Sequence, residues 1–377
     1  MIKRFSVSNF KSLGVVNVDL APVTVLIGRS GTGKSNFVQA IRWVRDFLTS
    51  RNLDDVVRQS GGWEKVLAAT AQRPVVLSFT IEFDVPGFSE LFRYDLVIRH
   101  KQDRGNPEFF GESLQVGERT IYAQSNGKWQ SQPPLVSAPP AGGLMLGALT
   151  GIQEASVAYL VLTQGIGCYS FSDDVLMQPQ ASKGIGLNDK AENFLKAFTA
   201  ITVNLSTWQC IRDIAASMRR LKPSLKSIDL NQPAKDAIVV NHEIDKKVLV
   251  FQLSQESEGF RRLLACLIAL YQSPPKQTLI FDEPEKGIHP AGLSILADEF
   301  KGAAEKGRGQ VLLTTHSPEF LDQFEADQIR VVEMKQFKTE IGPVAPEQLE
   351  SLKERFMKPS ELLTVDEARI AGFSQVG

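Results

Sequence analysis

Residues 26–37 read LIGRSGTGKSNF and follow the apolar stretch Val23, Thr24, Val25. The spacing from 28 to 35 is Gly-x-x-x-x-Gly-Lys-Ser, and each fixed position has a chemical reason. Gly28, Gly31 and Gly33 permit backbone angles that turn successive N–H groups inward as a cradle for phosphate oxygens. Lys34 would reach the β- and γ-phosphates as a point charge, and the Ser35 hydroxyl would complete the shell of a Mg²⁺ ion. Arg29, Ser30, Thr32 and Asn36 complete the stretch expected to line a bound nucleotide.

Hydrolysis needs more than a cradle, and a second stretch, TLIFDEPEKGIHP at 278–290, supplies carboxylates. Residues 278–281 suit a short buried parallel strand, and Asp282 and Glu283 follow where it ends, the edge at which open α/β sheets bind ligands. Asp282 would contact Mg²⁺, and Glu283 would orient or deprotonate the in-line water. A third stretch, QVLLTTHSP at 310–318, is another strand ending in His316, one of four histidines. Its imidazole would hydrogen-bond at the γ-phosphate. A fourth, LSQESEGFRR at 253–262, precedes apolar residues at helical spacing, Leu263, Leu264, Leu267, Ile268 and Tyr271. Ser257 is placed to cap that helix and Gly259 falls in its first turn, giving a second exposed, partly positive helix end.

The elements that must carry these residues are legible from periodicity. Phe37, Ile41, Val44, Phe47 and Leu48 recur at helical spacing, so the glycine-rich loop should lead from a strand into a helix whose positive end faces the anion. VVLSFTIEF and LFRYDLVIRH alternate as strands do, and SNGKW contains a hairpin-type Asn-Gly turn, so residues 75–130 predict an antiparallel sheet. PPLVSAPPAGG at 133–143 reads as a linker into a mostly helical region reaching about residue 222. The expected organisation is an N-terminal part at 1–132, a linker and helical insertion at 133–240, a second catalytic part at 241–345 and a tail at 346–377. The tail is either a docking segment or a loose end.

Composition bounds the partners. The chain of 377 residues is 43% apolar and 23% charged, as soluble globular proteins are, with a net charge of -1. Any nucleic-acid contact must therefore be local. Arg219, Arg220, Lys222 and Lys226 cluster in SMRRLKPSLK, either as a solvated basic face or as a phosphate contact to DNA or RNA. The start lacks a secretory signal, and the longest apolar run, 263–271, is too short to span a bilayer, so no membrane role and a cytoplasmic location are expected. Cys168, Cys210 and Cys266 lack paired metal-ligand spacing and fit reduced thiols.

The order of these motifs resembles the ABC-type ATPases of the SMC and RecF kind. Asn9-Phe10-Lys11-Ser12 stands where that family opens, DEPEKGIHP is similar to its Walker B and D-loop, and TTHSP to its switch-histidine strand. The likeness extends to predicted AAA-family ATPases of bacterial defence and repair loci, relatives of the overcoming-lysogenization-defect ATPases. It implies an α/β P-loop NTPase fold of ABC type, with a mixed central sheet, an antiparallel β lobe and a helical insertion. It also implies conversion of ATP and water to ADP and phosphate with Mg²⁺. In a head-to-tail homodimer or higher oligomer, Ser257 and Gly259 of one protomer would cover ATP on the other. Lys11 either touches the nucleotide or is solvated.

Two departures bear on this. Glu258 stands where the transporter signature has glycine, with a weaker alternative register starting at Ser254, and no Q-loop glutamine is assigned. Too few residues separate Lys34 from Ser257 for the long coiled-coil arms of SMC proteins. Two functions stay open: a nucleotide-driven sensor or motor subunit of an anti-phage or DNA-linked complex with a separate nuclease-like effector, and a RecF-like ATP-dependent DNA clamp in repair. On either, Lys34→Ala removes ATP binding or turnover, read with a fluorescent ATP analogue and by phosphate release; parent-like binding and turnover together would discard the phosphate-loop assignment.

Overall fold

Alternating apolar and polar residues give a strand one buried face, and Val75–Phe83 follows the rule, with Val75, Leu77, Phe79, Ile81 and Phe83 all buried. In the computed structural model the described residues are all but 72–74, 101–107, 126–127, 132–143, 150, 178–185, 204–207, 234–235 and 372–377. The linker at 133–143 and the turn residues Asn126 and Gly127 thus lie outside the described residues. The strands flanking that turn, Arg119–Ser125 and Lys128–Ser131, pair antiparallel. The chain divides into two compact units. One comprises Met1–Ile166, Ala326–Met357 and Val365–Gly377, and the other Gly167–Glu325 and Lys358–Thr364.

The first unit is built on a mixed sheet. Antiparallel pairing runs from Lys128–Ser131 through Arg119–Ser125, Glu108–Val116, Phe92–His100, Val75–Phe83 and Ile2–Phe10 to Leu13–Asp19. The order continues through Lys338–Pro343 and Ile329–Lys335 to Val23–Ile27, with parallel pairing of Thr339 to Leu13 and of Val331 to Ile27. Val23–Ile27 is buried at every position, as a strand covered on both faces must be. It feeds the helix Lys34–Ser50, whose buried stripe contains Phe37, Ile41, Val44, Phe47 and Leu48. Phe37 meets Phe5 edge to face at 5.5 Å, and Trp43 stacks on Phe79 at 5.3 Å, which fixes the helix on the sheet.

In the second unit, Thr278–Asp282 and Gln310–Thr314 pair in parallel, from Thr278 opposite Gln310 to Asp282 opposite Thr314. The helices Trp208–Leu221, Glu258–Tyr271 and Pro290–Glu305 belong to this unit, as does an antiparallel sheet of Leu225–Leu230, Ile238–Ile244 and Lys247–Gln252. The helical stretch expected before residue 222 is interrupted by the short strand Ile166–Tyr169, four consecutive buried residues that give no amphipathic signal. The tip of the acid-bearing strand is anchored by Phe281, 1% exposed, whose ring lies 4.7 Å from Phe300 and 5.2 Å from Tyr169. Phe281→Ala removes this anchor and is expected to cost about 3–5 kcal/mol of stability, measured by urea unfolding; a loss below about 1 kcal/mol would show that the strand end is held otherwise.

Candidate functional site

The phosphate-type loop belongs to the first unit. Gly28, Gly31 and Gly33 have φ of 149°, 80° and 108°, so the loop turns three times through backbone that side chains disfavour. Gly33 is the N-cap of Lys34–Ser50 and supplies no side chain to cover the amides of the first turn. Arg29, Ser30 and Gly31 are exposed at the crown, Thr32 and Lys34 are buried, and Ser35 and Asn36 are half-buried. The Lys34 ammonium donates to the carbonyls of Gly28 at 2.8 Å and Arg29 at 2.9 Å, which arches its side chain over the loop. This glycine-lined turn at a helix N-terminus, with a lysine and a hydroxyl beside it, fits a phosphate chain and its Mg²⁺.

Two further residues of this unit bear on the loop. Lys11 stands at the tip of the first hairpin in left-handed backbone and donates to Gln39 on the loop's own helix. It is half-buried rather than freely solvated, and burial lowers its pKa, with the charge of Lys65 second. Arg29 grips Glu367 through two hydrogen bonds of 2.6 Å. The tail is therefore docked as far as it is described: Ala345 N donates to Arg369 O at 2.7 Å, and Ile370 N to Glu333 Oε1 at 2.9 Å.

The carboxylates belong to the second unit, where Asp282 ends its strand and Thr314 ends the neighbouring one. The Thr314 hydroxyl donates to Asp282 Oδ1 at 2.6 Å and accepts from the Glu283 amide at 3.0 Å. Glu283 has φ 51°, a left-handed conformation uncommon outside glycine. Its carboxylate lies 3.5 Å from His316 Nε2 and pairs with Lys286. Next in the turn, Glu285 accepts from the Thr315 hydroxyl at 2.7 Å and the His316 amide at 3.1 Å. Burial pushes the Glu285 carboxyl above the usual range. Asp282, Glu283 and His316 are thus brought together by groups outside the sequence motifs' assigned residues, Thr314, Thr315 and Glu285. An acid just past a strand facing threonines on the next strand is the sequence signal for such ties.

Ser257 caps Glu258–Tyr271, its hydroxyl accepting from Phe260 N at 3.3 Å. A Cβ on Gly259 would stand 2.7 Å from Gly287 O, so the helix end lies directly against the turn that follows the acids. Only glycine permits that approach. The cluster at 219–226 is a half-exposed basic face whose cations are engaged within the unit. Arg219 donates to the carbonyls of Leu225 and Lys226, Arg220 pairs with Asp298, Lys222 with Glu256 and Lys226 with Glu243. Those acids lie 17 or more positions away in sequence and were invisible to a local count.

The mixed sheet, the glycine-rich loop and the tied acid-histidine turn define an ABC-type P-loop ATPase fold of the SMC kind. Residues 187–322 match the family described as "AAA domain, putative AbiEii toxin, Type IV TA system". Over 352 residues the chain is 22% identical to the Old nuclease of Escherichia phage P2, a match covering 84% of this chain and 56% of that protein. The chain thus spans about half the length of this curated relative. Among solved structures, an SMC head bound to the C-winged helix domain of ScpA superposes with a TM-score of 0.59 at 15% identity, covering 93% of this chain and 99% of that one. The Smc head of Pyrococcus furiosus with an extended coiled coil, bound to the C-terminal domain of ScpA, gives 0.57 at 14%, with coverages of 94% and 99%. The SMC head domain from Thermotoga maritima gives 0.50 at 14%, with coverages of 91% and 98%. No helix among the described residues is long and apolar enough to cross a membrane.

The Thr314 hydroxyl holds both acids at once, so Thr314→Val is expected to lower the ATP turnover proposed below about 10- to 100-fold, the worth of hydrogen bonds to charged groups. Phosphate release measures this, and an unchanged kcat would remove Thr314 from the site.

Proposed function

We propose that the chain is an ATP-hydrolysing subunit whose nucleotide cycle drives an assembly, acting as sensor or motor for a nuclease-like effector. The observation that carries this reading is the Glu283 carboxylate, held in left-handed backbone beyond a buried strand and 3.5 Å from His316. A carboxylate so fixed can orient water and accept its proton, with the His316 imidazole hydrogen-bonding the γ-phosphate. Lys34 and the loop at 28–36 bind the phosphates. Ser35 would hold a Mg²⁺ that offsets charge on the phosphate oxygens, and Asp282 is the carboxylate of the second unit suited to such an ion. Lys11, paired to the loop's helix, assists nucleotide binding.

Ser257 and Gly259 present a capped helix end to the γ-phosphate of a second protomer, so ATP closes a head-to-tail dimer and hydrolysis opens it. The approach of Gly259 to the Gly287 carbonyl supports this, because it joins that helix end to the turn that follows Glu283. An effector of nuclease type is supported by the likeness to Old nuclease, whose length extends well beyond the match. A DNA clamp has less support, since the clustered cations at 219–226 are engaged within their own unit.

The test is the solution mass of Glu283→Gln by light scattering. Mg-ATP is expected to double the protomer mass, while Ser257→Arg binds ATP, stays undimerised and has no turnover. Unaltered turnover in Ser257→Arg would refute the head-to-tail arrangement.

A further inference from the structure

Thr339 lies 307 positions from the glycine-rich loop in sequence yet touches its backbone. It is 1% exposed, is the second residue of the strand that pairs with Leu13–Asp19, and its amide donates to Ser12 O at 2.7 Å. Its hydroxyl donates to the Thr32 carbonyl at 2.7 Å. With that proton committed, the 2.7 Å contact between the Thr339 and Ser12 hydroxyls has one direction, Ser12 donating. Ser12 in turn accepts from the Asn36 side-chain amide at 2.8 Å. The result is a directed chain, Asn36 to Ser12 to Thr339 to the Thr32 carbonyl, in which each bond polarises the next. A Cβ at position 33 would collide with Thr339 Oγ1 and lie 2.8 Å from Ser12 Oγ, so the hydroxyl pair fills the space that glycine leaves.

The effect on the loop follows from peptide geometry. In a planar trans peptide the C=O and the next N–H point in opposite directions. Holding the Thr32 carbonyl against Thr339 therefore aims the Gly33 N–H away from Thr339 and keeps the Thr32 carbonyl from turning toward an incoming anion. We propose that Thr339 and Ser12 are positioning residues that set the Thr32–Gly33 peptide for phosphate binding, an inference that rests on the nucleotide reading of residues 28–35. They act through the loop and do not touch the reacting atoms.

The test compares Thr339→Val, which keeps the volume and loses the hydroxyl, with Thr339→Ser, which keeps the hydroxyl. By calorimetry, Kd for Mg-ATP is expected to rise about tenfold in Thr339→Val, one hydrogen bond's worth, and to stay within about twofold of the parent in Thr339→Ser. The kcat at saturating ATP should change less than about threefold in both, which separates ground-state positioning from loss of catalysis. Equal Kd values for Thr339→Val and the parent, or equal impairment of the two variants, overturn the proposal. Amide hydrogen exchange at 31–34 in the nucleotide-free proteins gives a reading that needs no ATP. Faster exchange in Thr339→Val, restored in Thr339→Ser, supports the clamp even if the parent fails to bind ATP, an outcome that would fell the nucleotide reading alone. Unchanged exchange overturns the clamp.

Discussion

The parallel register that sets Asp282 opposite Thr314 governs the geometry of the acid cluster in the second unit. Both strands are almost wholly buried, so their polar groups can emerge only at the ends. The register brings both ends out together, and one threonine hydroxyl then serves two acids, accepting from the Glu283 amide and donating to Asp282. A slip of one residue would turn Thr314 to the other face and leave the Glu283 backbone without its tie. The uncommon φ of Glu283 persists because the register, Pro284 and the buried Glu285 determine the turn from both sides.

What was legible in the sequence was local. A glycine-rich loop between a strand and a helix, the period of Phe37, Ile41 and Val44, the alternation of Val75–Phe83 and the cap at Ser257 each depend on residues within one or two turns of one another. What was not legible was the partner of a polar group brought from elsewhere in the chain. Thr339 reaches Thr32, Glu256 meets Lys222, and Glu367 meets Arg29 only after folding. The basic cluster in SMRRLKPSLK is solvated, as its local sequence implies, but its ion-pair partners come from elsewhere in the chain. The strand Ile166–Tyr169 escaped for another reason: with every side chain buried, it has no polar phase by which to be recognised.

Two buried titratable groups share a common logic. Glu112, 2% exposed, accepts from both the Tyr94 and Tyr122 hydroxyls and from the Met145 and Leu146 amides, so one carboxylate pins a loop to the antiparallel sheet. His242 is similarly enclosed, between Ser224 and Glu256. In each case the cost of desolvation is offset by a full set of hydrogen bonds, which fixes a single arrangement. Glu256 directly precedes Ser257, so the capped helix begins from a rigid footing.

The docked tail makes the glycine-rich loop part of a mechanical linkage. Glu367 holds the guanidinium at the loop's crown with both oxygens, and just beyond it Arg369, Ile370 and Ala371 are laced to Ala345, Glu333 and Pro343. A pull on the polypeptide beyond residue 371 would be borne first by that lacing and then delivered to Arg29. Anything fused or tethered there, natural or engineered, would have a short lever onto the crown of the loop.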